Sequence, residues 1–229
     1  MQPYFFPYIG YWQLINAVDR FVIYDDVNYI KSGWINRNRM LINGEARYFT
    51  APLNRLSSNK SIKDTELQDS MIWRNKLIRM LEVAYGRAPY FEDVYPFLAE
   101  LLKNKENNLA LYLIEIIKKL VQRYKISTDL IVGSQAYNNK NLSGQQRIID
   151  ICSQEGANVY INSQGGMDLY DINIFRDSSI ELKFIRPKKN IYQQLGSTFV
   201  PNLSIIDIMM FNSPEEIRSM LCQFEYIWQ

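Results

Sequence analysis

The alternation of apolar and polar positions predicts a helix, a strand and a hairpin in the first fifty residues. Gly10 to Val18 is predicted to form a short helix, and Arg20 to Tyr24 has the β-branched and aromatic content of a buried strand. The apolar stretches Met40 to Ile42 and Arg47 to Thr50 flank Asn43-Gly44. Because both residues tolerate a positive φ, this pattern predicts a tight β-hairpin.

A helical pattern fills the middle of the chain. Between Thr65 and Tyr124 the apolar residues recur at intervals of three and four, which is the period of one face of an α-helix. Gly86 and Pro89 separate the first of these helices from one near Phe91 to Leu102. Residues 65–124 are therefore predicted to form a helical insert.

Strands and helices alternate again in the last hundred residues. The predicted strands are Ser127 to Val132, Ala157 to Ile161 and Ile180 to Ile185, and the predicted helices are Ser143 to Gln154, Leu203 to Phe211 and Pro214 to Phe224. Such alternation predicts an α/β fold with an open, mostly parallel sheet, whose strand-end loops form a ligand crevice. We expect one α/β core domain made of residues 1–64 and 125–229, interrupted by the insert.

The composition narrows the class of protein. The 229 residues are 47% hydrophobic and carry a net charge of +2, without a block of Lys and Arg, so nucleic acid is not an expected partner. No stretch approaches the ~20 apolar residues of a membrane span, and no secretory signal is recognisable. Cys152 and Cys222 lie in apolar helical patterns and are predicted to be buried thiols. We expect a cytoplasmic protein without a membrane span.

The chain contains no histidine. This removes the commonest general base, the Ser-His and Cys-His pairs, and the usual zinc ligands. We therefore expect neither a zinc site nor a haem. Any chemistry must use Asp, Glu, Lys, Arg, Tyr or a bound group.

The N-terminal segment Gln2 to Tyr11 combines prolines, aromatic rings and a glycine at the predicted start of a helix. Gly10 there lets backbone N–H groups approach a phosphate near the positive end of the helix dipole. Tyr8 and Tyr11 can donate hydrogen bonds to the same ligand. The alternative is an aromatic plug with a structural glycine.

Asp25 and Asp26 end the first predicted strand. One carboxylate can bind Mg²⁺ or act as a base. If the strand continues that far, alternation places the two side chains on opposite faces, so we favour Asp25 alone as a site residue. A solvated turn is the alternative.

The stretch from Lys31 to Arg39 is basic and contains Trp34. Residues 1–63 contain eight Lys and Arg against four Asp and Glu, a net charge of +4. Lys31 and Arg37 can bind phosphate or carboxylate, and Trp34 offers a face for a base or sugar ring. A surface hairpin with solvated cations is the alternative.

A second polar loop follows the strand predicted to end at Ile161. It contains Asn162, Ser163 and Gly165, the first glycine of a pair. Such a loop can hold phosphate or hydroxyl groups with backbone donors and amide side chains. A tight turn requires the same glycines, so the signal is of moderate specificity.

Five stretches together make the chain resemble the WbqC-like protein family, from the first residues to about Asn212. These stretches are Gln2 to Tyr11, Tyr24 to Lys31, Gly33 to Arg39, Tyr160 to Ser163 and Leu203 to Asp207. Tyr8-Ile9-Gly10-Tyr11 also resembles the His-x-Gly-His element of the nucleotidylyltransferases, with tyrosine in both histidine places. This second similarity implies a nucleotidylyltransferase-like or Rossmann-like sheet. Family members usually carry an apolar strand before Gln2-Pro3, so we expect the first strand to be missing here or to lie upstream.

The family resemblance implies a role in bacterial O-antigen or other surface-polysaccharide biosynthesis. It implies transfer of a small acyl or aminoacyl group, such as glycine, to the amino group of a nucleotide-linked sugar or another small anionic ligand. Similarity to nucleotidylyltransferases and adenylate-forming ligases implies ATP and Mg²⁺ as cofactors. The alternatives are a non-catalytic sugar-nucleotide-binding or scaffolding protein, and acyl transfer from a thioester.

On this hypothesis each predicted site residue has a role. Asp25 binds Mg²⁺ or takes the proton of the amine. The phosphates are bound by Gly10, Tyr8, Tyr11, Lys31 and Arg37. The acceptor sugar is oriented by Asn36, Asn162 and Ser163, and the binding set is completed by Gln2, Trp34 and Gly165.

Overall fold

The computed structural model describes residues 1–55, 59–196 and 198–228, which form a mixed α/β structure. The helices are α1 Ile9–Asn16, α2 Met71–Tyr85, α3 Phe91–Lys103, α4 Leu109–Tyr124, α5 Gly144–Gln154, α6 Ile172–Asp177, α7 Ile205–Phe211 and α8 Pro214–Leu221. The strands are β1 Arg20–Ile23, β2 Arg37–Ile42, β3 Glu45–Thr50, β4 Leu53–Asn54, β5 Glu66–Leu67, β6 Asp129–Val132, β7 Val159–Ser163, β8 Glu181–Pro187 and β9 Phe224–Ile227. Short 3₁₀ helices cover Ser134–Tyr137 and Gln164–Leu169.

The described strands form four small sheets that are only partly parallel. β1 pairs with β6 and β7 pairs with β8 in parallel, whereas β9 adds to β8 in antiparallel orientation. β2 with β3 and β4 with β5 are antiparallel pairs. The parallel pairs agree with the predicted class, but a single open Rossmann-like sheet is not confirmed. Met1 adds to the β1 edge, since its amino group donates to Val22 O and its carbonyl accepts from Tyr24 N.

The predicted hairpin is confirmed. β2 and β3 pair from Arg37 with Thr50 to Ile42 with Glu45. Asn43 and Gly44 both have positive φ, 52° and 78°, as the mirror-image turns of hairpins require. The register follows from this local turn.

Helices occupy most of residues 71–124, as predicted. The hydroxyl of Ser70 caps α2 and the side chain of Asn108 caps α4, so orphan N–H groups at both starts are satisfied. The buried faces of α2, α3 and α4 belong to the same hydrophobic core as α1 and β1. The division into a core domain and an insert stays a prediction.

Two predictions near the end of the chain are wrong. Cys222 is exposed, whereas Cys152 is buried as predicted, and both thiols are free. Phe224 does not end a helix but begins β9. The reason is that α8 already stops at Leu221, after which the chain pairs with β8 at Pro187. In the ranges that the structure describes, no helix combines the length and apolar character needed to cross a membrane.

Candidate functional site

The parallel pairing of β1 with β6 brings two polar loops to one edge. Ile23, the last residue of β1, is paired with Val132, the last residue of β6. The chain leaves β1 into Asp25 and Asp26, and it leaves β6 through Gly133, at φ 91°, into Ser134. Carboxyl ends of parallel strands are the usual position of ligand sites in α/β folds.

Both carboxylates contact Ser134. Its backbone N–H donates to Asp25 Oδ1 over 3.0 Å, its Oγ lies 3.3 Å from the same oxygen, and its hydroxyl donates to Asp26 Oδ1. Asp25 is 6% exposed and Asp26 is 8% exposed. The condition for alternation is not met, because β1 ends before either residue, and both side chains reach Ser134. The solvated turn is likewise not observed.

Arg147 from α5 completes what we call the carboxylate cluster, made of Asp25, Asp26, Ser134 and Arg147. Its Nη2 lies 2.9 and 2.7 Å from the two oxygens of Asp26. The guanidinium is fixed further by Nε, which donates to Asn139 Oδ1, and it lies 4.8 Å from the ring centre of Tyr24. Asp26 and Arg147 therefore form a buried ion pair.

The environment sets the charge of Asp26. Burial acts to raise its pKa, but hydrogen bonds from Arg147 and Ser134 outweigh burial and hold the pKa below 3.8. Asp26 is therefore an anion at neutral pH whose oxygens are already committed to protein donors. It is poorly suited to accept a substrate proton.

Asp25 differs because one of its oxygens is free. Oδ1 is held by Ser134, whereas Oδ2 receives no hydrogen bond from the part of the chain that the structure describes. A Cβ at Gly133 would lie 3.9 Å from Oδ2, which is an ordinary contact, so the positive φ of 91° is the reason for glycine at this position. The cluster thus presents one fixed carboxylate with one available oxygen.

The polar residues predicted to form a loop after Ile161 lie partly in a strand, because β7 extends through Asn162 and Ser163, which pair with Phe184 and Ile185. Asn162 is buried, and its Nδ2 lies 3.2 Å from the hydroxyl of Tyr160 and 3.0 Å from that of Tyr170. Its Oδ1 accepts from Ser163 N over 2.7 Å. Burial raises the pKa of Tyr160, and the neighbouring hydroxyls of Tyr170 and Tyr24 add to the rise. The amide of Asn162 is therefore held by groups of its own segment.

The two glycines of this loop differ. Gly165 is exposed and nothing lies within 4 Å of an added Cβ. At Gly166 the added Cβ would lie 3.0 Å from Nδ2 of Asn162. Gly166 therefore allows the close approach of the amide, and Gly165 leaves its backbone open to solvent.

The N-terminal residues pack against one another. The ring of Tyr8 lies over Gly10, where an added Cβ would be 2.5 Å from its Cε2. Tyr11 is buried in α1, and its hydroxyl donates to the carbonyl of Gln2 over 3.0 Å. These contacts match the aromatic plug. Phosphate binding at Gly10 stays a prediction.

The basic stretch has mixed surroundings. Asn36 is buried and its amide is used internally, because Oδ1 accepts from Tyr29 and Nδ2 donates to the carbonyl of Ala51. Arg37 donates to the carbonyls of Ser32 and Gly33. Lys31 is exposed, and Trp34 is 40% exposed.

The structure joins only some of the predicted site residues. Phe5 N donates to Trp34 O over 3.2 Å, and Asn38 Nδ2 donates to the carbonyls of Phe5 and Phe6, so the N-terminal segment touches the basic stretch. Within residues 1–55, 59–196 and 198–228, no hydrogen bond or ring contact links the basic stretch to the Asn162 loop. A cleft common to all of them stays a prediction.

Three polar residues with buried hydrogen bonds, Ser134, Arg147 and Asp207, are not among the predicted site residues. Arg147 and Ser134 carried no local signal beyond a polar residue in a predicted helix and one after a predicted strand. Asp207, inside the stretch Leu203 to Asp207, is fully buried and accepts from three neutral donors. These donors are Tyr85 Oη at 3.0 Å, Tyr192 Oη at 2.7 Å and Gln194 Nε2 at 2.8 Å.

Other possible sites lack the predicted residues. The described residues contain no group of three or more His, Cys, Asp or Glu side chains that could hold a metal ion. One groove lies between α3 and its helical neighbours, and a second lies between α2 and Ile42. No predicted site residue lines either groove.

Comparison with known proteins agrees with the resemblance seen in the motifs. The sequence profile of the WbqC-like protein family matches residues 2–219. A Mycobacterium tuberculosis protein, described as the uncharacterized protein Rv1507c, is 29% identical over 225 residues, which cover 96% of this chain and 95% of the relative. No solved structure matches the chain significantly. With nearly its whole length matched, the chain belongs to the WbqC-like protein family.

Proposed function

We propose that this protein transfers a small acyl or aminoacyl group, such as glycine, to the amino group of a nucleotide-linked sugar in bacterial polysaccharide biosynthesis. Membership of the WbqC-like family supports the biological setting. The observation that carries the chemistry is the free Oδ2 of Asp25, on a buried carboxylate whose other oxygen is fixed by Ser134.

The reaction requires a proton acceptor at a defined position. The lone pair of the sugar amine attacks the acyl carbonyl carbon, a C–N bond forms, and the bond to the leaving group breaks. The nitrogen then carries a surplus proton, which passes to Asp25 Oδ2. A base placed within hydrogen-bonding reach accelerates such a step by roughly 10²–10⁴-fold.

We place the acceptor sugar against the end of β7 and the glycine pair that follows it. The amide of Asn162 is committed to Ser163, Tyr160 and Tyr170. We therefore assign the sugar contacts to the open backbone at Gly165 and the half-buried side chain of Ser163. Asn162 acts by holding the loop in shape.

The residues assigned to ATP and Mg²⁺ do not assemble into a binding set. Tyr8 covers Gly10 at the start of α1, and Arg37 donates to two backbone carbonyls. For Mg²⁺ the carboxylate cluster offers one free oxygen, on Asp25, since Asp26 is paired with Arg147. The proposed transfer step therefore involves neither cofactor, and the donor arm with ATP-Mg²⁺ tests activation by ATP.

One observation favours the non-catalytic alternative, a sugar-nucleotide-binding or scaffolding protein. Arg147, the buried cation of the carboxylate cluster, is held by Asp26 through Nη2 and by Asn139 through Nε, so its charge is directed at Asp26. It is therefore not available to stabilise the oxyanion that develops on the acyl carbonyl. A protein that only binds would need no such group.

The test is a transfer assay read by mass spectrometry, with nucleotide-linked amino sugars as acceptors. Glycine with ATP-Mg²⁺, glycine alone and a glycyl thioester are the donor arms. Asp25→Asn should lower turnover by about 100-fold or more while leaving the fold and acceptor binding intact. Asp19→Asn is the matched control, since it removes an exposed carboxylate at the opposite end of β1.

The outcomes separate the two functions. Full turnover in Asp25→Asn would show that this carboxylate is not the base. Binding of the acceptor without product in any donor arm would favour the non-catalytic alternative. Product only in the ATP arm would establish adenylation.

A further inference from the structure

The outer side of the hairpin presents cations and aromatic rings together. Successive side chains of a strand alternate between its two faces, so Arg37 and Arg39 share one face of β2. Tyr48 lies directly across from Arg39 in the β2–β3 register. Trp34, from the preceding loop, packs on Tyr48. We call these four residues the hairpin face.

Their contacts form a ladder. The guanidinium of Arg37 lies 4.6 Å from the ring centre of Tyr48, and that of Arg39 lies 5.7 Å from the ring centre of Trp34. The two rings are 6.2 Å apart and inclined by 28°. Trp34 is still 40% exposed and Tyr48 is 52% exposed, so both rings keep open surface.

The positive charges of the hairpin face are not neutralised by acidic side chains in the ranges that the structure describes. Arg37 donates to the carbonyls of Ser32 and Gly33, and Arg39 to that of Asn202. Neither forms an ion pair within the described ranges, and Nε of Arg39 is buried there without a hydrogen-bond partner. By contrast, Arg47 on the opposite face of β3 is paired with Glu45.

We infer that the hairpin face binds the nucleoside diphosphate portion of a soluble nucleotide-linked sugar. Two uncompensated guanidinium groups match the charge of a diphosphate, and guanidinium donors suit phosphate oxygens. The exposed ring surfaces beside them suit the face of a nucleobase. The identity of this ligand rests on the proposed function, whereas Arg39 and Tyr48 are binding residues beyond it.

Binding can be measured without turnover. Wild-type protein is titrated calorimetrically with UDP-, dTDP- and GDP-linked sugars, and with the free sugar that lacks a diphosphate. Arg39→Gln should weaken binding about tenfold or more, since it removes charge-assisted contacts. Tyr48→Thr removes the ring but keeps a residue that favours strands. Arg37 stays unchanged because it holds the loop at Ser32 and Gly33.

Arg47→Gln is the matched control, with the same loss of charge on the opposite face of the hairpin, and its affinity should equal that of wild type. Urea unfolding confirms that each variant is folded. The inference fails if no nucleotide-linked sugar binds, if the free sugar binds equally well, or if Arg39→Gln and Tyr48→Thr bind like wild type. The inference would also be wrong if the protein bound anionic vesicles or single-stranded nucleic acid more tightly than sugar nucleotides, and if added sugar nucleotides did not compete with that binding.

The assay distinguishes this inference from the proposed function. If wild type transfers an acyl group and Arg39→Gln keeps its affinity, the hairpin face is not the binding surface and the transferase assignment stands. If Arg39→Gln loses affinity but wild type never forms product, the hairpin face stands and the transfer reaction fails.

Discussion

Asp26 and Asp207 are both buried carboxylates that accept hydroxyl hydrogen bonds, yet their pKa values move in opposite directions. Asp26 faces Arg147, and its pKa is held below 3.8. Asp207 faces only hydroxyl and amide donors, and burial raises its pKa above 3.8 in spite of hydrogen bonds from Tyr192, Tyr85 and Gln194. Neutral donors alone therefore do not offset the loss of hydration, whereas one guanidinium does.

The two sites also differ in what they hold together. The Asp26–Arg147 pair joins the end of β1 to α5. Asp207 joins α7 to Tyr85 of α2 and to Tyr192 and Gln194, in a segment without helix or strand. The side chain of Gln194 also forms two hydrogen bonds with the backbone of Val200. Its Oε1 accepts from Val200 N, and its Nε2 donates to Val200 O. The Asp26–Arg147 pair holds the strand end that carries the candidate base Asp25. The hydrogen bonds of Asp207 hold the segment around Tyr192 and Gln194.

The largest expected effect comes from breaking the ion pair. Arg147→Leu leaves Asp26 buried without its cation and should cost about 3–5 kcal/mol of unfolding free energy. Urea denaturation at pH 7 measures this loss. Arg20→Leu is the control, since it breaks the more exposed pair with Glu155 and should cost less than about 1 kcal/mol. Equal losses of unfolding free energy in Arg147→Leu and Arg20→Leu would show that the buried ion pair matters no more than the exposed one.

A smaller effect is expected from Asp207→Asn. The amide oxygen still accepts a hydrogen bond, and no unpaired ion is left behind, so the loss should be about 1–2 kcal/mol. Asp26→Asn is the comparison. It leaves the buried Arg147 cation without an anionic partner, so the loss of unfolding free energy should be larger. The same denaturation series measures both, and a larger loss in Asp207→Asn would contradict the comparison.

Removing one donor from Asp207 should matter less. Tyr192→Phe deletes the hydroxyl that lies 2.7 Å from Asp207 Oδ2, and a loss of about 1 kcal/mol is expected. The Tyr192 hydroxyl ties its segment to α7, so its loss should make cleavage by a protease between residues 188 and 203 faster. Tyr226→Phe, an exposed tyrosine on β9, is the control and should leave both readouts unchanged.

The smallest effect is a difference in pH dependence. Asp26 binds a proton less readily in the folded protein than in the unfolded chain. Its contribution to the free energy of unfolding is therefore present above pH 3.8 and is lost as the pH falls through the lowered pKa of the folded state. Asp207 binds its proton more readily when folded, so stability falls as pH rises from 3.8 through its raised folded pKa.

The measurement is the free energy of unfolding of wild type, Asp26→Asn and Asp207→Asn as a function of pH. Relative to wild type, Asp207→Asn should gain stability as pH rises above 3.8, and Asp26→Asn should lose it as pH rises towards 3.8. Parallel curves for the two variants would show that Arg147 does not set the difference.

Local features of the fold could be predicted from the sequence. Asn43-Gly44 determines the hairpin by its own backbone preference, and the period of apolar residues locates the helices. Asp25 could be selected because a strand end was visible. Arg147 could not, since its partner Asp26 lies 121 positions away and only packing of α5 joins them.

The errors have equally local causes. The apolar pattern of α8 was extended to Phe224, which placed Cys222 inside a helix, although the chain turns at that point into the edge strand β9. Gly10 is a different case, because its contact with a phosphate stays a prediction: a glycine at a helix start permits the close approach of any group. In the structure the group that approaches is the ring of Tyr8, and sequence alone does not identify the neighbour.

The contact between Tyr8 and Gly10 limits how related sequences can diverge. An alanine at position 10 would place its methyl carbon 2.5 Å from Cε2 of the Tyr8 ring, so the far end of that half-buried side chain would have to move away. The two positions should therefore change together in homologues. Alanine at position 10 should be found beside a small residue at position 8, and tyrosine at position 8 should be inherited with glycine at position 10.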